Sequence, residues 1–261
     1  MKKISDRKRI VIKVGTSTLT HRTGMLNIRR VEQLVKTLAD IQNSGHEVIL
    51  VSSGAIGLGM GKLGLRERPK DTPGKQACAA VGQCELMYLY DNLFAEYSIS
   101  VAQMLLTKYV LLEDRRKNVE NAMERLISHR VIPVINENDT VAIDELELEV
   151  GENDSLAAIV ADIAKADLLI IMSDIDGLYD KDPHTYEDAK LIPVVHEITD
   201  EIKALAGGAG TKLGTGGMIT KLNAVEIAYK SDIDVVLMNP KTLYDLFDGK
   251  SVGTIFSKNE D

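Results

Sequence analysis

Apolar residues recur along the chain in short bursts at residues 10–14, 48–51, 100–105, 131–135, 168–172 and 235–238, each of strand length. Longer amphipathic stretches lie between most of them. Over residues 27–44, Ile28, Val31, Leu34, Val35, Leu38 and Ile41 are spaced by threes and a one, which puts them on one face of a helix. Gly45 is where that helix should stop. The same period predicts helices over 75–97, 115–130, 155–166 and 218–230. Strands that read as buried on both faces, alternating with helices, predict an α/β fold, a three-layer αβα sandwich with a mainly parallel central sheet. No low-complexity linker or internal repeat divides the chain, although Gly207-Gly208-Ala209-Gly210 reads as a flexible segment. One continuous sheet, or two lobes sharing it, is favoured over separate domains.

Charge then narrows the partners. Among 261 residues, 31 Lys plus Arg stand against 39 Asp plus Glu, a formal charge of −8, and phosphate backbones attract the opposite sign. Nucleic acid is therefore not expected as the main partner. No apolar run approaches the roughly 20 residues of a membrane helix, so no membrane span is expected either. The basic start (Lys2, Lys3, Arg7, Lys8, Arg9) is followed by Ile10-Val11-Ile12, which Lys13 interrupts, so no signal-peptide core follows. A cytoplasmic location is the expectation. Cys78 and Cys84 are six apart in a helical pattern, about 9 Å along the axis at 1.5 Å per residue, too far to pair.

In open α/β sheets ligands bind beyond the carboxyl ends of the strands, and there the chain is informative. Lys13 places an ammonium inside the first strand, where an unpartnered charge is costly; the alternative is an edge lysine that snorkels to water. Ser52-Ser53-Gly54-Ala55 is a small-residue turn between a strand and a helix. Three polar segments follow strands: Asn136-Glu137-Asn138-Asp139, Gly151-Glu152-Asn153-Asp154 and Ser173-Asp174. Such density suits ammonium, cation or magnesium recognition, with loop capping as the bland alternative. Leu213-Gly214-Thr215-Gly216-Gly217-Met218-Ile219-Thr220-Lys221 is a glycine-rich loop opening a helix, with a lysine in its first turns, the components of a polyphosphate cradle. Gly59-x-Gly61-x-x-Gly64 matches a dinucleotide fingerprint by letter, but it starts eight residues after Val51 and not directly after a strand, so it reads as the end of a short helix. Metal-ligand spacings of His or Cys are absent, and Asp174-Ile175-Asp176-Gly177 reads as a turn.

Taken in order, these motifs resemble the amino acid kinase family and, within it, the branch that phosphorylates glutamate. The likeness runs from about Ile10 to Ser257 and is most specific in Asn136-Glu137-Asn138-Asp139 and Leu213-Gly214-Thr215-Gly216-Gly217-Met218. The resemblance implies one amino acid kinase domain over 1–261, its N-terminal half mainly glutamate-binding and its C-terminal half mainly ATP-binding. It implies ATP-dependent phosphorylation of the glutamate side-chain carboxylate, at the head of proline synthesis. Lys13, Asp154 and Lys221 would be catalytic; Ser53, Asp139 and Asn153 would bind glutamate; Lys13, Ser173, Asp174, Thr215, Gly216, Gly217, Met218, Ile219, Thr220 and Lys221 would hold ATP. Magnesium would be held mainly by the nucleotide phosphates, with no protein metal site. Proline is implied as a feedback inhibitor and a homo-oligomer as the assembly. Many members carry a further C-terminal PUA domain, similar to RNA-binding modules, and this chain stops at Asp261. Kinases of acetylglutamate, aspartate or UMP, an NAD-binding oxidoreductase and a catalytically silent amino-acid sensor remain as alternatives.

Overall fold

The computed structural model describes residues 4–21, 25–141, 153–206 and 217–259. The chain divides into two compact units, Val14–Leu146 on the one hand and Met1–Lys13 with Glu147–Asp261 on the other. The division falls near the end of the first strand, β1 (Arg9–Val14).

The unit Val14–Leu146 runs α1 (Thr16–Leu19), α2 (Ile28–Asn43), β2 (Glu47–Ser52), α3 (Ala55–Lys62), α4 (Thr72–Ala95), β3 (Val101–Leu106), α5 (Glu113–Ser128) and β4 (Ile132–Glu137). Its strands lie in the order β3-β4-β2 and are parallel. Asn27 caps α2 by accepting a hydrogen bond from the Arg30 N–H at 3.2 Å, and Gly45, at φ 112, ends it where the sequence pattern does. Asp71 caps α4 through the Gly74 N–H at 2.9 Å, with Pro73 in the first turn. That cap is why α4 starts at Thr72, three residues before the apolar period becomes visible.

The glycines after β2 have a packing role. A Cβ on Gly59 would fall 1.8 Å from the Cys78 carbonyl oxygen, and one on Gly82 would fall 1.7 Å from that of Ala55, so α3 and α4 touch backbone to backbone. Gly64 closes α3: its N–H donates to Gly61 O, and the Leu65 N–H donates to Met60 O, the Schellman arrangement. Gly59-x-Gly61-x-x-Gly64 is therefore helix interior and helix stop, not a dinucleotide turn.

The other unit takes β1 through Lys13 and continues with α6 (Asn153–Ala164), β5 (Leu168–Met172), β6 (Val194–Val195), α7 (Asp200–Ala206), α8 (Met218–Tyr229), β7 (Asp234–Met238), α9 (Leu243–Phe247) and β8 (Thr254–Phe256). Its strand order is β1-β5-β7-β8-β6, parallel except for the β7–β8 pair. All five β5 side chains are buried, each contributing roughly 1.5–3 kcal/mol of hydrophobic stabilisation. At the amino ends of these strands Arg7 pairs with Asp234, and Asp167 accepts from the Lys8 and Arg9 N–H groups at 3.0 and 2.8 Å.

The α/β class and mainly parallel strands agree with the sequence pattern. All six strand bursts and all five long helices are present within a few residues. The pattern did not disclose β6 and β8, of two and three residues, or the short helices α1, α7 and α9. Segments this short carry too few positions for a period to register. The glycine segment 207–210 lies outside the described residues. Cys78 is buried and Cys84 exposed, and neither is bonded to the other. Among the described residues no helix is long and apolar enough to cross a membrane.

Candidate active site

Lys13 occupies the interior of β1, opposite Ile171 of β5, in a strand whose Ile10, Val11, Ile12 and Val14 are wholly buried. Its ammonium does not snorkel to water. Nζ stands 2.6 Å from Oδ1 of Asp154, and the Lys13 side chain is only 7% exposed. Asp154 is the second residue of α6, where the positive end of the helix dipole favours a carboxylate. Its other oxygen, Oδ2, lies 3.2 Å from Nζ of Lys221 in the second turn of α8, and this lysine is buried too. Thr220 completes the group: its hydroxyl donates to Gly217 O at 2.8 Å, with Asp154 Oδ2 at 3.2 Å as an alternative acceptor for the same proton. Two ammonium groups from distant parts of the sequence thus grip one fully buried carboxylate.

Burial by itself would raise the Asp154 pKa, but the Lys13 and Lys221 charges, with their hydrogen bonds, outweigh it and hold the carboxyl below its ordinary value. A carboxylate in this state is a poor proton acceptor. Its chemical capacity is to fix two cations in place. The cations can then stabilise negative charge that develops nearby.

In the same unit, Ser173 and Asp174 follow β5, where Ser173 is buried and Asp174 exposed. The Ser173 hydroxyl donates to Asp174 Oδ1 at 3.3 Å, and its N–H donates to Met238 O at 2.8 Å, tying the turn to β7. Gly217 is the N-cap of α8 in extended conformation, without a capping side chain; Met218, Ile219 and Thr220 form the first turn of the helix and Lys221 opens the second. Thr215 and Gly216 lie outside the described residues, as do Gly151 and Glu152. Asn153 opens α6 next to Asp154.

Ser53 and Asp139 belong to the other unit, after the neighbouring parallel strands β2 and β4. Both are half-buried. The Ser53 N–H donates to Val14 O at 3.0 Å, and Gly54, at φ 106, makes the left-handed turn into α3 that an L side chain rarely adopts. Desolvation raises the Asp139 pKa, opposed in part by the positive charge of Arg68. Arg68 comes from a loop without periodicity, and nothing in the sequence announced it. Two buried polar contacts behind these loops were equally silent in the sequence: Ser52 Oγ with Tyr90 OH at 2.9 Å, and the Asn136 Nδ2 amide donating to Gln83 Oε1 at 2.9 Å.

A buried lysine–aspartate–lysine cluster, built from β1 and the starts of α6 and α8, concentrates fixed positive charge of the kind that suits phosphate-bearing ligands. The class is explicit in the sequence: residues 8–239 match the model of the amino acid kinase family, and the chain belongs to that family. Glutamate 5-kinase of Clostridium perfringens is 52% identical to it, over 98% of this chain and 97% of that protein. Glutamate 5-kinase of Clostridium tetani is also 52% identical, covering 97% and 96%. The glutamate 5-kinase of Caldanaerobacter subterraneus, again at 52%, matches over 95% of this chain but 67% of its own length. Among solved structures, carbamate kinase from Giardia lamblia bound to AMP-PNP superposes with a TM-score of 0.69 at 18% identity, covering 98% of this chain and 100% of that one. UMP kinase from Bacillus anthracis gives 0.65 at 15% identity, covering 97% of each chain. At those identities the structures establish the shared fold.

Proposed function

We propose that this chain transfers the γ-phosphoryl group of ATP to the side-chain carboxylate of L-glutamate, producing L-glutamyl 5-phosphate and ADP, the first step of proline biosynthesis. The observation that carries this reading is the buried Lys13–Asp154–Lys221 cluster, and the substrate follows from relatives half identical over nearly the whole chain. An oxygen of the glutamate carboxylate attacks the γ-phosphorus, the bond from that phosphorus to the β–γ bridging oxygen breaks, and ADP leaves with the electron pair. A glutamate side chain has a pKa of about 4.3, so at neutral pH the nucleophile is already ionised and no general base is required. The problem is repulsion: like unit charges at about 4 Å cost roughly 4 kcal/mol at an effective dielectric of 20, and a triphosphate multiplies that. Lys13 and Lys221 supply the opposing charge, and Asp154 holds both ammonium groups where the transferring group passes.

Ser53, Asp139 and Asn153 bind glutamate in this reading, with the Asp139 carboxylate paired to the substrate ammonium. Ser173, Asp174 and the segment from Thr215 to Lys221 hold ATP together with Lys13. Among the described residues no group of three His, Cys, Asp or Glu side chains is suited to a metal ion, and both oxygens of Asp154 face lysines. That donor set fits magnesium that arrives on the nucleotide phosphates and adds positive charge there.

ADP release measured with a coupled assay should require both Mg-ATP and glutamate, and aspartate should be a far poorer acceptor because one missing methylene misplaces its carboxylate. Hydroxylamine should trap the acyl phosphate as a hydroxamate. Equal turnover with aspartate or UMP, or no hydroxamate above an enzyme-free control, would overturn the assignment. Proline, as a cyclic relative of glutamate, should compete with glutamate for the enzyme. Inhibition that does not weaken as glutamate is raised would contradict that part.

A further inference from the structure

We propose that α4 positions the two glutamate-facing loops through a pair of buried polar clasps, Tyr90 on Ser52 and Gln83 on Asn136, and that the clasps set the affinity for the amino-acid substrate. The inference rests on the reading that Ser53 and Asp139 bind glutamate. Ser52 immediately precedes Ser53, and Asn136 lies three residues before Asp139. The β2–β4 register pairs Leu50 with Val134 and Val51 with Ile135, so its next step sets Ser52 beside Asn136. Adjacent residues in a parallel pair point to the same face of the sheet. Both meet α4, from residues seven apart and hence two turns along one side of the helix.

All four side chains are buried: Ser52 and Tyr90 fully, Asn136 and Gln83 at 3% and 8% exposure. The hydrogen bonds determine one another. Ser52 Oγ donates to Ser53 O at 3.2 Å, so the Tyr90 hydroxyl supplies the proton between the two side chains. Asn136 Oδ1 accepts the Glu137 N–H at 2.9 Å, so its amide nitrogen must be the donor to Gln83, and Gln83 must present its oxygen. That orientation leaves Gln83 Nε2 buried without a partner among the described residues. Unpaired buried donors are costly, and a hydrocarbon side chain of the same shape would avoid the cost. What the carboxamide oxygen holds is the Asn136 side chain, whose own oxygen accepts the Glu137 N–H at the end of β4, two residues before Asp139. Next to Gln83, Gly82 brings α4 against the Ala55 carbonyl in the first turn of α3, so the helix also bears on the Ser53-Gly54 turn. One rigid helix therefore spaces the serine and aspartate loops.

Steady-state kinetics on the full chain test this with Tyr90→Phe and Gln83→Met. Each should raise KM for glutamate by about three- to tenfold, the range expected for one lost hydrogen bond, with kcat at saturating glutamate and KM for ATP within about twofold. Gln83→Glu keeps an oxygen to accept from Asn136 and should recover most of the loss that Gln83→Met causes. An unchanged KM for glutamate in Tyr90→Phe, or KM values for ATP and glutamate rising together, would overturn the proposal; so would a Gln83→Glu variant no better than Gln83→Met. If Gln83→Met does not fold, Tyr90→Phe, which loses one hydroxyl, decides alone. A wild-type protein without glutamate-dependent turnover would instead overturn the function on which the inference stands.

Discussion

Lys221→Ala is expected to lower kcat by roughly 10² to 10³, the effect of removing one preorganised charge from a transition state, while KM for glutamate changes little. The reason lies in its anchoring. Lys221 is buried in the second turn of α8, held 3.2 Å from Asp154 Oδ2, so its charge is already in place before the phosphoryl group moves. A lysine that served only to solvate a helix surface would, when removed, change stability by less than about 0.5 kcal/mol and leave kinetics alone. Lys221→Arg sharpens the comparison, because a planar guanidinium cannot take a point-charge site without displacing its neighbours. Single-turnover and steady-state rates on folded protein at saturating Mg-ATP provide the measurement. A kcat for Lys221→Ala within about threefold of wild type, a barrier change below roughly 0.7 kcal/mol, would remove this residue from the catalytic set.

Asp154→Asn should cost both activity and stability, the latter by roughly 3–5 kcal/mol, because the substitution leaves two ammonium groups buried together with their shared carboxylate gone. In a chain of this size that lowers Tm by on the order of 10 °C. The pH dependence carries a sign that can be checked. Burial pushes the Asp154 carboxyl up, the two lysines pull it down further, and the net result is a value below that of an unfolded aspartate. The stabilisation is therefore complete above the unfolded pKa of about 3.9 and is lost as pH falls through the lower folded value. The stability gap between wild type and Asp154→Asn should stay constant from neutral pH down to about pH 5 and close only in strong acid. Denaturant titrations across that range measure it. A gap below about 1 kcal/mol at neutral pH would mean that the lysines find other compensation and that the cluster is not held by its carboxylate.

The sequence by itself determined the elements and the chemistry they carry. Six strands and five long helices were legible because each is long enough for its period to emerge from the burial it requires, as in β5, buried throughout, or in α2, with its one apolar face. Lys13, Asp154 and Lys221 stood out for a related reason, each being a charge set in or beside a segment that otherwise reads as buried or glycine-rich. What only the tertiary structure decided is which groups meet. Lys13 and Lys221 are more than two hundred residues apart, and neither spacing nor propensity states that one carboxylate lies between them. The letters of Gly59-x-Gly61-x-x-Gly64 fit a nucleotide turn as well as a helix crossing until the Cys78 and Ala55 carbonyls are seen against α3 and α4. Tyr90 and Gln83 look like ordinary positions of a long helix, and Arg68 like any loop arginine. Their roles depend on contacts between helix and sheet or between loops, and such contacts leave no period in the chain, since a hydrogen bond constrains two side chains and not the run of residues around either.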